Sequence, residues 1–379
     1  MKRAIIMMVV LGFSVSAQTW AQWTNIRRLT WTPGDSYAPA MAVDSSGKIH
    51  LIWDDDTPGQ REIYYKRSTD GGITWEVTRR LTWTSNESLD PAIAVNSSDQ
   101  IHVVWADSTL GNFEIYYKSS TDGGLSWAPA KRLTWTLGSS EEPAIAVDSN
   151  NQIMVVWSEG NWNNREIFSR RSLDGGAQWG PVSRLTWMPG GCSLPAIAID
   201  ASDKIHVVWA AGSYSDTYIY YLSSVDGINF VGPQTLSNNP YEASCLAMAL
   251  ASNTICIIWQ GDAYDLKPIY YRLSIDGGGT WSAVMELPTC SRDSYYGPAI
   301  GISGNTIHVV WEDWTPGYPE IYYMKSKTYG AFWSPPVRLT WTMGDSYSPA
   351  MAVDSNDTIH VFWCDNTPGN YEIYYKKRN

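Results

Sequence analysis

Several residue types are scarce in this chain of 379 residues. It contains only 6 Phe, 5 His and 5 Cys, and charged residues make up 17% of it, whereas an average soluble protein has about 25%. The mean hydropathy is -0.26, so the chain is not a bundle of membrane-spanning helices. Acidic residues outnumber basic ones and give a formal net charge of -11. Because nucleic-acid binding needs a basic surface, we expect no nucleic-acid partner.

The five cysteines do not have the spacing of a metal site. They are Cys192, Cys245, Cys256, Cys290 and Cys364, and no two of them form a C-x-x-C motif. We therefore expect neither a metal nor a cofactor. Five is an odd number, so the cysteines cannot all pair within one chain. A disulfide between Cys245 and Cys290 and a full set of free thiols both remain open.

The N-terminus has the three-part pattern of a secretory signal peptide. Two basic residues are followed by a mostly apolar run over residues 4–15, and small residues precede a cleavage point after Ala17. The apolar run is too short to span a bilayer. We therefore expect residues 1–17 to be removed and a mature protein without a membrane span to be secreted, to the periplasm or the exterior. The alternatives are a membrane anchor and a buried helix.

Tryptophan and tyrosine, by contrast, are abundant, with 21 and 23 copies, and most of them belong to a repeat. A run of the form Ile-His-Val-Val-Trp recurs with a period of about 52 residues. It ends at Trp53, Trp105, Trp157, Trp209, Trp259, Trp311 and Trp363. A period near this length with only strand signals is typical of a β-propeller blade. We predict an all-β fold, in which residues 18–379 form one seven-bladed propeller of four-stranded antiparallel blades.

The two chain ends predict how the ring closes. The last repeat stops after its third strand, at Tyr374–Lys377. Near the other end, residues 23–30 have the spacing of an outer strand, with Trp23 six residues before Leu29. This N-terminal strand should complete the last blade and remove the open sheet edges that favour aggregation. An open array of blades is the alternative.

A second motif recurs near the end of each repeat. Residues 68–75 read Ser-Thr-Asp-Gly-Gly-Ile-Thr-Trp. The motif returns at 120–127, 172–179 and 274–281, is degraded at 224–230, and has lost its Asp at 326–333. In these residues the chain resembles the Asp-box (BNR repeat) β-propellers of the sialidase-like superfamily, over essentially all of its mature length. In that family the box is a structural turn, so we expect Asp70 to cap backbone N–H groups and to carry no chemistry.

The resemblance implies an exo-sialidase-type glycoside hydrolase as one possible activity. Such enzymes bind a carboxylate with three arginines and use a Tyr nucleophile with a Glu and an Asp. The Arg-Ile-Pro motif that carries their first arginine is missing here. The repeated arginines should point to different places around the rim. These are Arg28, Arg80, Arg132, Arg184 and Arg338. Nothing in the sequence indicates that the non-repeated Arg61, Arg165 and Arg292 converge on one site.

The histidines also argue against catalysis. All five occupy one repeated position in the second strand, so none is the unique histidine that acid–base chemistry would use. They are His50, His102, His206, His308 and His360. We expect packed, hydrogen-bonded strand residues. We therefore name no catalytic residue and favour a protein without catalysis, with the sialidase-type hydrolase as the alternative.

A ligand site is expected on the propeller face that bears the loops leading into each blade, here called the front face. These loops and those joining the second and third strands are rich in carboxylates and aromatic rings, which suit sugar hydroxyls and sugar C–H faces. The candidate ligand-binding residues are Trp31, Asp35, Tyr37, Asp55, Arg292, Asp293, Tyr295, Asp313, Trp314, Asp345, Tyr347 and Asp365. Repetition over several blades suits a multivalent lectin.

Other interpretations of the same front-face residues remain open. The acidic residues and the Asp-Ser-Tyr segments could serve only to hold their own loops together. A third interpretation places a calcium ion among the carboxylates, but the sequence contains no calcium-binding loop motif that would support it. The expected partner is a glycan or an extracellular protein, bound by a monomer. A scaffold domain of a cell-surface assembly is a further alternative.

Overall fold

The computed structural model describes residues 22–161, 164–213, 216–238, 244–261, 267–288 and 297–378. These residues form seven four-stranded antiparallel sheets and contain no helix. Within this part of the chain no helix is long and apolar enough to cross a membrane. The predicted all-β fold with seven blades is confirmed. The proposed signal segment, residues 1–17, lies outside the described residues.

In blades 1 to 6 the strands form a meander that follows chain order from the inside of the ring outward, and in blade 7 the outermost strand comes from the N-terminus. Blade 1 comprises β2 (Ser36–Val43), β3 (Ile49–Asp55), β4 (Glu62–Ser68) and β5 (Arg79–Arg80). Blade 2 comprises β6 (Ser88–Val95), β7 (Ile101–Asp107), β8 (Glu114–Ser120) and β9 (Lys131–Arg132). Blade 3 comprises β10 (Ser139–Val147), β11 (Ile153–Gly160), β12 (Glu166–Ser172) and β13 (Ser183–Arg184). Blade 4 comprises β14 (Cys192–Ile199), β15 (Ile205–Ser213), β16 (Asp216–Ser224) and β17 (Phe230–Thr235).

The remaining blades follow the same plan. Blade 5 comprises β18 (Ser244–Ala251), β19 (Thr254–Gln260), β20 (Ile269–Ser274) and β21 (Met285–Glu286). Blade 6 comprises β22 (Ala299–Ser303), β23 (Thr306–Asp313), β24 (Glu320–Ser326) and β25 (Val337–Arg338). Blade 7 comprises β26 (Ser346–Val353), β27 (Ile359–Asp365), β28 (Glu372–Arg378) and the N-terminal β1 (Arg27–Arg28). Successive inner strands contact one another around the whole ring, including β26 with β2.

The chain ends close the ring as expected. Arg27 of β1 pairs with Tyr375 of β28, and an isolated bridge joins Trp23 to Arg378. The backbone N–H of Thr24 also donates to the carbonyl of Lys377 at 2.9 Å. The open array is therefore wrong, since the N-terminal strand completes the last blade without a covalent link.

The core lies between the blades. The second strand of blade 1 is buried along its whole length, because its two faces pack against blade 2 and blade 7. Such strands are continuous apolar runs, as the sequence shows. Trp53 of this strand is 0% exposed and stacks on Tyr64, with ring centroids 5.9 Å apart. Much of the tryptophan and tyrosine content is therefore core.

The Asp boxes are turns on the back face, opposite the front face. Asp70 Oδ1 accepts the backbone N–H of Thr74 at 2.7 Å, and Ser68 Oγ accepts the N–H of Gly72 at 2.8 Å. Gly72 has φ +86, and a Cβ there would lie 2.1 Å from the hydroxyl of Tyr375, so only glycine fits. Asp70 thus caps its own hairpin, as predicted.

The histidines are buried strand residues, as expected. In each of the five blades that contain one, histidine Nδ1 lies 2.8 Å from a tyrosine hydroxyl of the third strand. The pairs are His50–Tyr65, His102–Tyr117, His206–Tyr221, His308–Tyr323 and His360–Tyr375. Burial lowers the pKa of His102 to about 4, so this ring is neutral at pH 7.

Candidate functional site

The repeated arginines are committed to structural ion pairs. Arg80 Nη2 lies 2.7 Å from Glu62 Oε1 in the same blade, and the same oxygen accepts the backbone N–H of Thr84 at 2.7 Å. The equivalent pairs are Arg28–Glu372, Arg132–Glu114, Arg184–Glu166 and Arg338–Glu320. Each arginine therefore anchors the loop that follows its own blade, and the five do not converge on one carboxylate.

Three residues after each of these arginines stands an exposed tryptophan. The five side chains are 63–70% exposed, unlike the buried tryptophans of the second strands. They are Trp31, Trp83, Trp135, Trp187 and Trp341, here called the tryptophan arc. At four of the five indoles the neighbouring cations come from both adjacent blades, and at Trp187 the cation is Arg184 of blade 3. The arc therefore lies on five consecutive boundaries, from blades 6 and 7 round to blades 3 and 4. The sequence has Asn238 and Thr289 at the other two boundaries.

Each indole of the arc is supported by cations that are themselves fixed. Arg28 Cζ and Lys66 Nζ each lie 5.7 Å from the ring centroid of Trp31. Lys66 Nζ donates to the carbonyl of Leu29 at 2.7 Å, and Arg28 is paired with Glu372 at 2.5 Å. Cation–π contacts of this kind are worth about 0.5–1 kcal/mol at exposed sites. The ring is thus held in place while 66% of the Trp31 surface stays open to solvent.

The acidic residues predicted to bind a ligand instead hydrogen-bond to their own loops. Asp55 is fully buried, and its carboxylate accepts hydrogen bonds from Ser36 Oγ at 2.7 Å and the backbone N–H of Thr57 at 2.9 Å. Asp365 is buried in the same way. Asp313 is 5% exposed and accepts from the N–H of Thr315 at 2.8 Å. These carboxylates tie together the two front-face loops, while neighbouring Trp314 is half-buried.

The structure brings the Asp-Ser-Tyr segments of blades 1 and 7 together. The rings of Tyr37 and Tyr347 lie 5.2 and 5.4 Å from that of Tyr371. Tyr371 donates to the Tyr347 hydroxyl at 3.0 Å, and Tyr37 donates to Asp35 Oδ2 at 2.9 Å. The Tyr347 hydroxyl likewise donates to Asp345 at 3.3 Å. The result is a half-buried tyrosine band on the front face. Sequence reasoning missed Tyr371, although it directly precedes the repeated glutamate, as Arg61 does in blade 1.

The tyrosine band continues into a group of charges that breaks the repeat. Arg61 Cζ lies 4.4 Å from the centroid of Tyr37, and its Nη1 lies 3.3 Å from Asp54 Oδ2. Asp54 is fully buried, and neither oxygen accepts a hydrogen bond from the described residues. Burial raises the pKa of Asp54 to about 8, opposed by Arg61 and reinforced by Asp90.

A second part of this charged group lies on blades 2 and 3. Asp90 is an exposed residue, and partial desolvation by the surrounding protein, with Glu142 as the next cause, raises its pKa to about 6. Arg165 Nη1 lies 3.9 Å from Glu142, and Arg165 also pairs with Glu141. Asp90 and Glu142 both occupy a bulge of the inner strand, with φ of 53 and 56. Sequence reasoning missed the link between Arg61 and Arg165, although the bulge is part of the repeat. Its positive-φ residue directly precedes a recurring proline, as Asp90 precedes Pro91 and Glu142 precedes Pro143.

Three predicted ligand-binding residues, Arg292, Asp293 and Tyr295, lie outside the described residues. For metals, the described part of the chain contains no group of three or more His, Cys, Asp or Glu side chains placed to hold an ion. The candidate site is therefore built from the tryptophan arc and the tyrosine band, with the charged group beside it.

Comparisons with known proteins agree with this architecture. The BNR/Asp-box repeat family model matches residues 66–77, and no curated protein matches the chain. Among solved structures, NanB sialidase from Streptococcus pneumoniae aligns with a TM-score of 0.52 and 14% identity over 92% of this chain and 70% of that one. The intramolecular trans-sialidase from Ruminococcus gnavus aligns with a TM-score of 0.55 and 13% identity, over 93% of this chain and 97% of that one.

A third similar structure has a different activity in its name. The polysaccharide lyase Uly1 aligns with a TM-score of 0.62 and 10% identity, over 90% of this chain and 89% of that one. At these identities the likeness concerns the fold. The chain is thus a seven-bladed β-propeller with Asp-box turns, similar in fold to sialidases and to a polysaccharide lyase.

Proposed function

We propose that this protein is a secreted, multivalent carbohydrate-binding propeller that acts without catalysis. The observation that supports it best is the tryptophan arc, in which five equivalent indoles are 63–70% exposed on five consecutive blade boundaries. Secretion rests on the signal-peptide pattern of residues 1–17. Exposed large aromatic side chains in a regular array have no role in the core, and a flat indole is a good partner for the C–H face of a pyranose.

The arrangement of the arc favours a repeating ligand. One open stacking platform buries little area and binds weakly on its own, whereas several platforms on one rigid ring multiply the affinity for a polymer or a dense glycan layer. The supporting cations already have partners, namely Glu372 for Arg28 and the Leu29 carbonyl for Lys66. With a net charge of -11, the protein would repel acidic polysaccharides. Neutral polysaccharides are therefore the expected ligands.

The tyrosine band adds a second front-face surface of similar chemistry. Tyr37 and Tyr347 keep partly exposed rings whose hydroxyls are held by Asp35 and Asp345. Their orientation is fixed by internal hydrogen bonds, so a ligand would meet a preformed aromatic surface. Such a surface would accept the end of a glycan chain beside Arg61.

A glycoside hydrolase is the second candidate, and one observation favours it. Asp54 and Asp90 are carboxyl groups with raised pKa values beside Arg61, and acids of this kind serve as proton donors in glycosidases. Against it, Asp54 is 0% exposed, and the repeated arginines are paired within their own blades.

A glycan array on the mature protein, run beside a fluorogenic sialoside assay, tests both candidates. Binding to neutral glycans without sialoside turnover is the expected result. Turnover that Asp90→Asn abolishes would establish the hydrolase instead. The absence of both glycan binding and sialoside turnover would indicate an extracellular scaffold with protein partners instead.

A further inference from the structure

The boundary between blades 3 and 4 carries a groove of about 930 Å³. The groove is lined mainly by apolar side chains. These are Leu173, Leu185, Trp187, Met188, Leu222, Ile228 and Phe230. The groove reaches from the Asp-box turn of blade 3 to the loop that leads into blade 4. Leu222 is 3% exposed, while Leu173 and Ile228 are 66% and 76% exposed. The groove therefore has a buried floor and open apolar sides.

The groove exists because one repeated contact is missing. In five blades a cation in the third strand reaches across the boundary and donates to a leucine carbonyl of the preceding blade. The pairs are Lys66–Leu29, Lys118–Leu81, Arg170–Leu133, Arg272–Leu236 and Lys376–Leu339. Blade 4 has Leu222 at this position, paired with Val207 as Lys66 is with Leu51. A leucine is too short to bridge the boundary, so the space stays open.

Blade 6 also lacks the cation, but its boundary is filled. Met324 occupies the equivalent position and is 0% exposed, packed in one cluster with Leu287 and Met285 of blade 5. An unbranched methionine fills irregular space that a leucine leaves empty. Loss of the cation is thus accompanied by a groove at blade 4 and by a fully buried methionine at blade 6.

The chemistry of the groove is apolar. The charged groups at its margin already have partners, since Arg184 pairs with Glu166 at 2.5 Å and Arg171 donates to Gln152 and to the carbonyl of Asp226. A volume of about 930 Å³ lies in the range of sites for one small molecule, and such sites are lined mainly by apolar side chains. A docked protein surface would need a much larger patch.

We propose that the groove between blades 3 and 4 binds a slender apolar small molecule of the fatty-acyl class. The lining residues run along the boundary from Leu173 in the Asp-box turn to Trp187 in the following loop, so an extended chain would contact both ends. Leu222 forms the floor against which the chain of the ligand packs. The site is independent of carbohydrate binding by the other four tryptophans, and Trp187 is the residue the two sites share. Burial of an apolar chain against these side chains supplies the binding free energy.

Fluorescence titration of the mature protein with cis-parinaric acid, a polyene fatty acid, tests the proposal. The wild type should bind one equivalent with enhanced fluorescence. Leu222→Lys should weaken binding at least tenfold, because the new ammonium group can donate to the Leu185 carbonyl as Lys66 does to Leu29 and would place its stem in the groove. Leu222→Phe, which fills the floor without a charge, should also weaken it.

Ile275→Lys is the matched control. Ile275 is 66% exposed on the back-face turn of blade 5 and is not part of the groove, so the same change there should leave binding unchanged. Circular dichroism checks that each variant is folded. No binding by the wild type, equal binding by wild type and both Leu222 variants, or binding only to phosphatidylcholine vesicles would overturn the proposal.

Discussion

The ammonium nitrogen of Lys66 lies 5.7 Å from the ring centroid of Trp31 and donates to the carbonyl of Leu29 at 2.7 Å. One cation therefore joins two blades and supports an exposed indole at the same time. Because the contact is part of the blade repeat, the arrangement recurs with Lys118 at Trp83 and Lys376 at Trp341. The tryptophan arc follows from the same repeat that stabilises the ring.

Lys118→Ala should destabilise the protein by about 1–3 kcal/mol, because the Leu81 carbonyl loses its charged donor and buried polar groups without partners are costly. Urea unfolding measures the change. Lys327→Ala, at an exposed position, should stay within about 0.5 kcal/mol of the wild type. Equal effects of the two substitutions would contradict a role of Lys118 at the blade boundary.

Asp70→Ala should lower stability by about 1 kcal/mol or more, because the backbone N–H and the hydroxyl of Thr74 both lose their acceptor. Those hydrogen bonds lower the pKa of Asp70 to about 2. A depressed folded-state pKa gives stability that is present above about pH 4 and is lost as the pH falls towards 2. Acid titration of urea midpoints should show a smaller decline for the variant than for the wild type.

Asp54→Asn should flatten the stability profile on the alkaline side. Burial raises the pKa of Asp54 to about 8, so the folded protein holds a proton that the unfolded chain releases near pH 4. Stability from this group therefore falls as the pH rises from about 4 to about 8. Melting temperatures at pH 5 and 8.5 should differ less in the variant. Asp216→Asn, at an exposed position, should behave like the wild type.

His102→Gln should weaken the response to mild acid. Burial lowers the pKa of His102 to about 4, below the value of about 6.5 in an unfolded chain. The neutral ring thus contributes stability above pH 6.5 that is lost as the pH falls towards 4. Unfolding at pH 7 and 4.5 should show a smaller loss for the variant. An unchanged difference would mean that His102 is protonated in the folded protein.

The fold could be predicted because it is carried by periodic residues. The second-strand tryptophans, the Asp boxes and the position of Trp23 fixed the blade number and the closure of the ring. The site was harder, because a repeated residue can be repeated for packing. Asp55 and Trp31 recur equally well in the sequence, yet Asp55 is buried in a loop contact and Trp31 is exposed. Only the three-dimensional packing separates the two.

Other features of the site depend on which side chains meet across a blade boundary, and the pattern within one repeat does not reveal this. Asp90 and Glu142 approach Arg61 and Arg165 through an inner-strand bulge, and the groove at Leu222 opens because a side chain fails to reach across a boundary. Tyr371 joins Tyr37 and Tyr347 from a different loop. The charged group, the groove and the tyrosine band each depend on contacts between blades rather than on the order of residues within one blade.

The most direct test of the account is the affinity of the mature protein for immobilised neutral polysaccharides, measured by biolayer interferometry with tryptophan variants. Trp83→Ala and Trp135→Ala should each weaken binding roughly fivefold, as expected for one contact of about 1 kcal/mol. The double variant should lose at least the product of the two factors. It should remain folded at the assay temperature, although the loss of its cation–π contacts, each worth about 0.5–1 kcal/mol, lowers its stability.

Leu125→Ala is the control for this measurement, since Leu125 is 52% exposed on the back face and its loss should leave binding unchanged. The account predicts multiplicative losses confined to the tryptophan arc. Wild-type affinity in the Trp83→Ala/Trp135→Ala double variant, or no binding of any neutral polysaccharide by the wild type, would contradict it.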